Sequence, residues 1–402
     1  MVNGSSWPRG DVMRVSVLGA TGSIGASTLD LIGREPAQFA VQAVTANSNA
    51  VALATLAKKH GAKLAVVSDP AAYAALKSTL AGTGIDVAAG PAGLEVAAAM
   101  EADCTVAAIV GVAGLAPALI AVARGQRVAL ANKECLVSAG RFFMANVRRH
   151  KTELLTIDSE HSGVMQVLET RNRDQVVKVT LTASGGPFRT WTAGAIATAS
   201  LEQALQHPNW TMGPKITIDS ATMMNKGLEL IEAQHLFDLA PVQLDMLVHA
   251  QSIVHALVEY SDGSVLAQLA QPDMRLPIAL ALNWPRRRPT PTPRLNLATA
   301  PALTFEAADE TRFPCIRLSR EAMQRGGGAT AALNAANEVA VAAFLAKRCK
   351  FGHIAQVVSA SLDLLDGRGL LGEPQNVGAV MELDGETRRV AADTLAGLGD
   401  GC

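Results

Sequence analysis

Aromatic residues are scarce in this 402-residue chain: Phe, Trp and Tyr together make up 4%, and there are only two tyrosines. Single-stranded nucleic acid is held by stacking bases on aromatic faces, so such a platform is excluded. An excess of either charge is missing as well. Lys and Arg total 35 against 36 Asp and Glu, a formal net charge of −1. That balance leaves no basic footprint for nucleic acid and no polybasic patch for a membrane surface. Cys104, Cys135, Cys315, Cys349 and Cys402 are irregularly spaced, with no C-x-x-C and no Cys/His quartet. A disulfide framework and a structural zinc site are thereby excluded, and a cytoplasmic setting is expected. Residues 1–12 carry no signal-peptide pattern and are expected to be a disordered extension. The uncharged stretch 104–123 has the length of a membrane span. Its Ala and Gly content and Pro117 instead predict a buried strand at 106–110, a turn at Gly111 and Gly114, and a helix from about Pro117.

What is present is apolar, Ala/Gly/Val-rich material, 49% hydrophobic and 18% charged, the composition of an α/β protein large enough for two or three domains. Up to about residue 150, short β-branched runs (15–18, 41–44, 64–67, 106–110, 128–130) alternate with helical stretches, which predicts βαβ units and a parallel sheet. Beyond residue 154 longer alternating runs (176–183, 246–260, 264–269) predict a mixed or antiparallel sheet, with Ser261-Asp262-Gly263-Ser264 as a hairpin turn. Pro285, Pro289, Pro291, Pro293 and Pro301 rule out regular helix there and mark a linker. The remainder, 329–345 above all, reads as helix.

Three segments carry chemistry. A β-branched strand runs directly into Gly19-Ala20-Thr21-Gly22-Ser23-Ile24-Gly25, and a helix follows. Glycines at that place let backbone amides approach a pyrophosphate at the positive helix end, although the spacing departs from G-x-G-x-x-G. At the end of the second strand Thr45-Ala46-Asn47-Ser48-Asn49 has no carboxylate for a ribose hydroxyl, which favours NADP over NAD. Asp158-Ser159-Glu160 follows a strand, where residues two apart share a face, so two carboxylates can start a hard-cation site; a solvated acidic loop has the same pattern. Asp219-Ser220 reads as the N-cap of a helix running past Asn225, Lys226 and Glu229. Lys226 and Glu229 are also what a surface ion pair looks like.

Together with Ala131-Asn132-Lys133-Glu134, Ser184-Gly185-Gly186-Pro187-Phe188, His207-Pro208-Asn209-Trp210-Thr211-Met212-Gly213, Gln271-Pro272-Asp273-Met274-Arg275 and Leu333-Asn334-Ala335-Ala336-Asn337-Glu338, these segments resemble the 1-deoxy-D-xylulose 5-phosphate reductoisomerase family over essentially all of the chain after Met13. The resemblance implies an enzyme dependent on NADPH and on Mg2+ or Mn2+ (Co2+ being a third candidate). Such an enzyme rearranges 1-deoxy-D-xylulose 5-phosphate and reduces the product to 2-C-methyl-D-erythritol 4-phosphate in non-mevalonate isoprenoid biosynthesis. Carried over residue by residue, it implies Asp158, Glu160 and Glu229 as metal ligands and, with Lys133, as the catalytic set. Substrate contacts would be Lys133, Ser159, Glu160, Ser184, His207, Trp210, Met212, Ser220, Asn225, Lys226 and Glu229. The cofactor would meet Thr21, Gly22, Ser23, Ile24, Asn47, Ser48, Asn49, Asn132, Glu134 and Gly213. Expected architecture is a Rossmann-like domain (13–157), a catalytic α+β domain (158–284) with a lid at 206–213, a linker (285–312) and a C-terminal helical bundle (313–402). A homodimer is implied, with the run 248–260 as a candidate for pairing across subunits. Ser162-Gly163 and His249-Ala250-Gln251-Ser252 depart from the family's usual Asn-Ala and His-Pro-Gln-Ser. His161 and His255 are read as positioning or structural. A thiol-dependent NADP oxidoreductase using Cys135 and a non-catalytic nucleotide sensor stand as alternatives.

Overall fold

The computed structural model describes residues 12–208 and 212–398. Within them the chain divides into two compact units. One takes in residues up to 135 with 143–162 and 273–293; the other takes in 136–142, 163–272 and 294 onward.

The first unit is built on seven parallel strands: β1 (Met13–Leu18), β2 (Phe39–Ala46), β3 (Leu64–Val67), β4 (Asp86–Ala89), β5 (Cys104–Ala107), β6 (Arg127–Leu130) and β7 (Glu153–Thr156). Their order is β4-β3-β2-β1-β5-β6-β7, with Val15 paired to Val41 on one side and to Cys104 on the other. Every residue of β3, β5 and β6 is buried, which is why these strands read as unbroken apolar runs rather than alternating ones. The order reverses between β1 and β5, so the chain leaves the two strands in opposite lateral directions and opens a crevice at their carboxyl ends. The strand expected at 106–110 begins and ends earlier, because Gly111 (φ +78) and the turn before it already belong to the crevice loop. β4 escaped notice in the sequence, being short and half-buried. Among the described residues no helix is long and apolar enough to cross a membrane. Arg127 explains why residues 273–293 belong here. Its buried guanidinium donates to the carbonyls of Ala281, Leu282 and Trp284 at the end of the helix Arg275–Asn283, and to Glu153 at 2.7 Å. Those carbonyls have no partner within the helix, and a cation is the favoured group at that end.

The second unit holds a mixed five-stranded sheet: β8 (Val176–Ala183), β9 (Leu244–Val248), β10 (Val254–Tyr260), β11 (Val265–Leu269) and β12 (Glu306–Ala307), in the order β11-β10-β8-β9-β12. The alternating run at 246–260 is therefore two strands, broken at Ser252 (φ +51), and β8 lies between them. Pairing across subunits through 248–260 is corrected by this topology. Both strands are already hydrogen-bonded on each side, and the edges are β11 and the two-residue β12. The turn at 261–264 forms as expected, with Asp262 Oδ1 accepting from Ser264 N at 2.9 Å and Gly263 at φ +85. Helices Pro314–Arg325, Ala329–Leu345, His353–Gly367 and Val377–Gly397 complete the unit. Ala329–Leu345 is buried almost all round and shares one core with β8, β9 and β10, as an Ala-rich helix between neighbours should.

Candidate active site

In the first unit the loop after β1 lies at the crevice. Gly19 has φ +92, and a Cβ there would stand 2.4 Å from the carbonyl oxygen of Ala108, so only glycine lets the loop pass the end of β5. Buried Thr45 accepts from Gly19 N at 2.9 Å through its hydroxyl and from Ala20 N at 2.7 Å through its carbonyl. The helix Ser23–Arg34 begins at Gly22 with no side-chain cap, so its first amides can receive an anion. Thr21 and Ser23 are exposed or half-buried beside them, and Ile24 is half-buried. Asn47 and Ser48 are exposed after β2. Asn49 caps the helix Ala50–His60, accepting from Ala52 N at 3.1 Å, so its side chain has structural work. Asn132 is buried and donates to the carbonyls of Ile109 and Gly111, while its Oδ1 accepts from Cys135 N. It braces the loop after β5. Glu134 is buried in the first helical turn that follows.

Lys133, 9% exposed, donates to Asp158 Oδ2 at 3.0 Å. Asp158 and Glu160 are not a pair on a strand: β7 ends at Thr156, and Glu160 lies in the first turn of the helix Ser159–Val167. What joins the two acids is local capping. Asp158 Oδ1 accepts from Glu160 N at 3.2 Å, and Ser159 Oγ donates to Glu160 Oε2 at 2.8 Å. Lys133 thus holds one of two neighbouring half-buried carboxylates, and Ser159 the other. His161 is fully buried, with Nδ1 at 3.8 Å from Asp158 Oδ1, beyond hydrogen-bond range.

The second unit gathers a different set. Ser184 Oγ accepts from Gly186 N at 3.1 Å and lies 3.0 Å from His207 Nε2. Burial pushes the His207 imidazole down to about 4, so the ring is neutral at neutral pH. Gly186 has φ +63, and a Cβ there would lie 2.8 Å from the Ser220 carbonyl oxygen, so the Ser184 loop rests against the end of the helix Pro214–Ala221. Met212 is half-buried. Exposed Gly213 caps that helix, its carbonyl accepting from Thr217 N and Oγ1. Trp210, with Asn209 and Thr211 of the expected lid, lies outside the described residues.

Asp219 is not an N-cap: it sits inside the helix Pro214–Ala221, which ends at Ala221. Met223 then takes a left-handed turn (φ +62), and a new helix, Met224–Phe237, carries Asn225, Lys226 and Glu229. Nor do Lys226 and Glu229 form a surface ion pair. They are 4% and 1% exposed; Lys226 Nζ donates to Glu229 Oε2 and Asn225 Nδ2 to Oε1. A buried ion pair is costly to desolvate and no better for stability than an apolar pair. Cys135 is fully buried, so an incoming substrate does not reach its thiol. Thr45 and the Asp219–Asn337 pair, both absent from the list of expected site residues, had only weak signals in sequence: a polar residue ending an apolar strand, and two asparagines inside an alanine-rich helix.

Known proteins match this arrangement along nearly the whole chain. Residues 15–140 fit the family model for 1-deoxy-D-xylulose 5-phosphate reductoisomerase, and residues 154–237 and 269–390 fit the models for its C-terminal domains. The 1-deoxy-D-xylulose 5-phosphate reductoisomerase of Nitrobacter hamburgensis is 52% identical over 384 residues, covering 96% of this chain and 94% of the relative. That of Rhodospirillum centenum is 53% identical over 388 residues, covering 96% of each. Among solved structures, the Zymomonas mobilis reductoisomerase in complex with NADPH is 49% identical with a TM-score of 0.90, covering 96% of this chain and 99% of that one. A DOX-P reductoisomerase in complex with NADPH, fosmidomycin and magnesium is 40% identical with a TM-score of 0.93, covering 97% and 100%. The chain belongs to the 1-deoxy-D-xylulose 5-phosphate reductoisomerase family.

Proposed function

We propose that this protein converts 1-deoxy-D-xylulose 5-phosphate to 2-C-methyl-D-erythritol 4-phosphate with NADPH and a divalent cation such as Mg2+ or Mn2+. The carrying observation is that each unit holds its own carboxylates ready: Asp158 and Glu160, tied to each other and to Lys133 and Ser159, in the first, and Glu229, buried between Asn225 and Lys226, in the second. Three hard oxygen donors with no thiolate fit Mg2+ or Mn2+ rather than a softer metal. The uncapped helix start at Gly22 and the acid-free end of β2 fit the pyrophosphate and the phosphorylated ribose of NADPH.

The ion, when bound, polarises the carbonyl and hydroxyl oxygens of a ketose, and NADPH supplies the hydride. The protein's residues do the rest. Lys133, held on Asp158, offers an N–H hydrogen bond to the same substrate oxygens. Ser159 holds the carboxylate of Glu160, one of the residues that would hold the ion. Ser184, Ser220, Asn225 and Lys226 grip the phosphate through two hydroxyls, an amide and a compact cation. Neutral His207 beside Ser184 gives the substrate a hydrogen-bonding partner without an added charge. Met212 and Gly213, on the loop leading into the helix Pro214–Ala221, keep water from the aldehyde before its reduction. Glu134, Asn132, Asn47 and Ser48 line the cofactor path.

A second copy of the chain pairs along β11, where Val265 and Leu266 are 52% and 38% exposed on an unpaired sheet edge. The enzyme works in the cytoplasm, where its buried thiols at Cys104, Cys135, Cys315 and Cys349 stay reduced. The test follows NADPH absorbance on adding the ketose phosphate. Oxidation that stops with EDTA and returns with Mg2+ is expected. Unchanged turnover in EDTA, lost in Cys135→Ser, would instead support the thiol mechanism.

A further inference from the structure

Asp219 is a carboxylate only 1% exposed, and none of its side-chain partners is one of the residues proposed to bind phosphate. Its carboxylate pairs with Lys215 Nζ at 2.8 Å, one turn earlier on the same helix, and accepts from Asn337 Nδ2 at 2.8 Å. Asn337 is 0% exposed in the middle of the helix Ala329–Leu345. The surroundings are dry enough that burial, with the nearby Asp219 charge, pushes the Cys315 thiol up to about 12. An apolar pair would hold two helices together there at no desolvation cost. A hydrogen bond adds direction, which apolar contact lacks.

The direction matters because of what surrounds it. Ser220 is the next residue, about 100° further round the helix. Thr222 Oγ1 donates to the Asp219 carbonyl at 3.2 Å, and Met223 N donates to the Ser220 carbonyl at 3.1 Å. Residues 219–223 thus form the joint between two helices, one ending near Ser220 and the other starting Asn225, Lys226 and Glu229. The joint also meets Gly186, where there is no room for a Cβ. The Ser184 loop meets the joint at the Ser220 carbonyl, and Asn337 fastens it at the Asp219 side chain.

We infer that Asn337 and Asp219 are positioning residues for the phosphate end of the substrate. Their hydrogen bond fixes the rotation of the helix Pro214–Ala221 and so aims the Ser220 hydroxyl, with Asn225 and Lys226, at one phosphate group. This rests on the proposed role of Ser220 in phosphate binding.

The experiment uses the full-length, Mg2+-loaded enzyme. It measures kcat, KM for the ketose phosphate, KM for NADPH, Ki for inorganic phosphate and the thermal midpoint. Asn337→Ala is expected to raise the ketose KM and the phosphate Ki together by about tenfold, with kcat and the NADPH KM within about twofold. Asp219→Asn, which keeps an acceptor for Asn337, is expected to retain most of the phosphate affinity. A loss spread evenly over all four kinetic constants, in step with the midpoint, would make the pair part of the scaffold and overturn the inference. So would unchanged phosphate affinity in a folded Asn337→Ala. If Asn337→Ala does not fold, Asn337→Ser, which retains a donor, takes its place with the same expectations reduced in size. Ser220→Ala separates the two layers. If it leaves phosphate affinity intact, the role of Ser220 fails; if it weakens phosphate while Asn337→Ala does not, only the positioning role fails.

Discussion

The Glu229 carboxylate is buried and held between the Asn225 amide and the Lys226 ammonium. Glu229→Gln keeps the shape and removes the negative oxygen that a hard cation needs. Turnover is expected to fall by more than about 100-fold, with NADPH binding, followed by fluorescence, unchanged. Lys226 would then face a neutral partner in a buried place, so some loss of stability is expected alongside. His235 gives a prediction of another kind. Burial, aided by the Arg141 charge, pushes its imidazole down to about 4, and its ring packs where Gly140 leaves no space for a Cβ. The unfolded chain takes up this proton near 6.5 and the folded one near 4. Stability therefore falls as pH drops through that window and is unaffected above it. Urea midpoints should fall between pH 7 and pH 5, and His235→Gln should flatten the decline, with His207 contributing the remainder in the same direction.

At the scale of an element, the helix Ser23–Arg34 separates what glycine does for the fold from what it does for a ligand. A Cβ on Gly25 would lie 2.3 Å from the Gly19 carbonyl oxygen, whereas a Cβ on Gly22 would meet only that oxygen at 3.5 Å. Gly25→Ala is expected to cost about 2–3 kcal/mol by overpacking the loop. Gly22→Ala should cost no more than about 1 kcal/mol of capping yet raise the KM for NADPH several-fold, because its methyl group stands before the helix amides. Thermal midpoints and NADPH titrations distinguish the two; equal effects on both would remove the helix start from the cofactor site. The carboxylates teach a related lesson. Residues two apart on a strand share a face, but Asp158 caps the helix that carries Glu160. The spacing was informative and the element was not the one it suggested, because the apolar run ended at Ile157 rather than continuing through the acids.

For the whole molecule, the exposed edge of β11 bears on assembly. A dimer is expected in sedimentation at micromolar concentration, and Leu266→Lys, a charge on an apolar edge, should shift it toward monomer. A monomer at all concentrations would remove β11 as the interface. The run 248–260 could not serve, since a strand bonded on both sides has no backbone groups left to offer a partner. Alternation in a sequence reports that a strand has one buried face. It says nothing about which neighbours that strand takes, so the central and edge positions were not legible.

The parallel first sheet, the glycine turn after β1, the lack of helix at the prolines of 285–301 and the helix 329–345 were readable from residues alone. Each depends on local rules: buried β-branched runs, glycine at a tight turn, proline without an amide hydrogen, small residues around a buried helix. The motif order likewise identified the family. Tertiary structure decided what local rules do not reach. It separated 246–260 into strands on either side of β8 and placed Asp219 within a helix, bonded to Asn337 at 118 residues' separation. It also drew 273–293 to the first sheet through Arg127. Those choices come from contacts between segments distant in sequence, whose side chains meet only once the layers have packed.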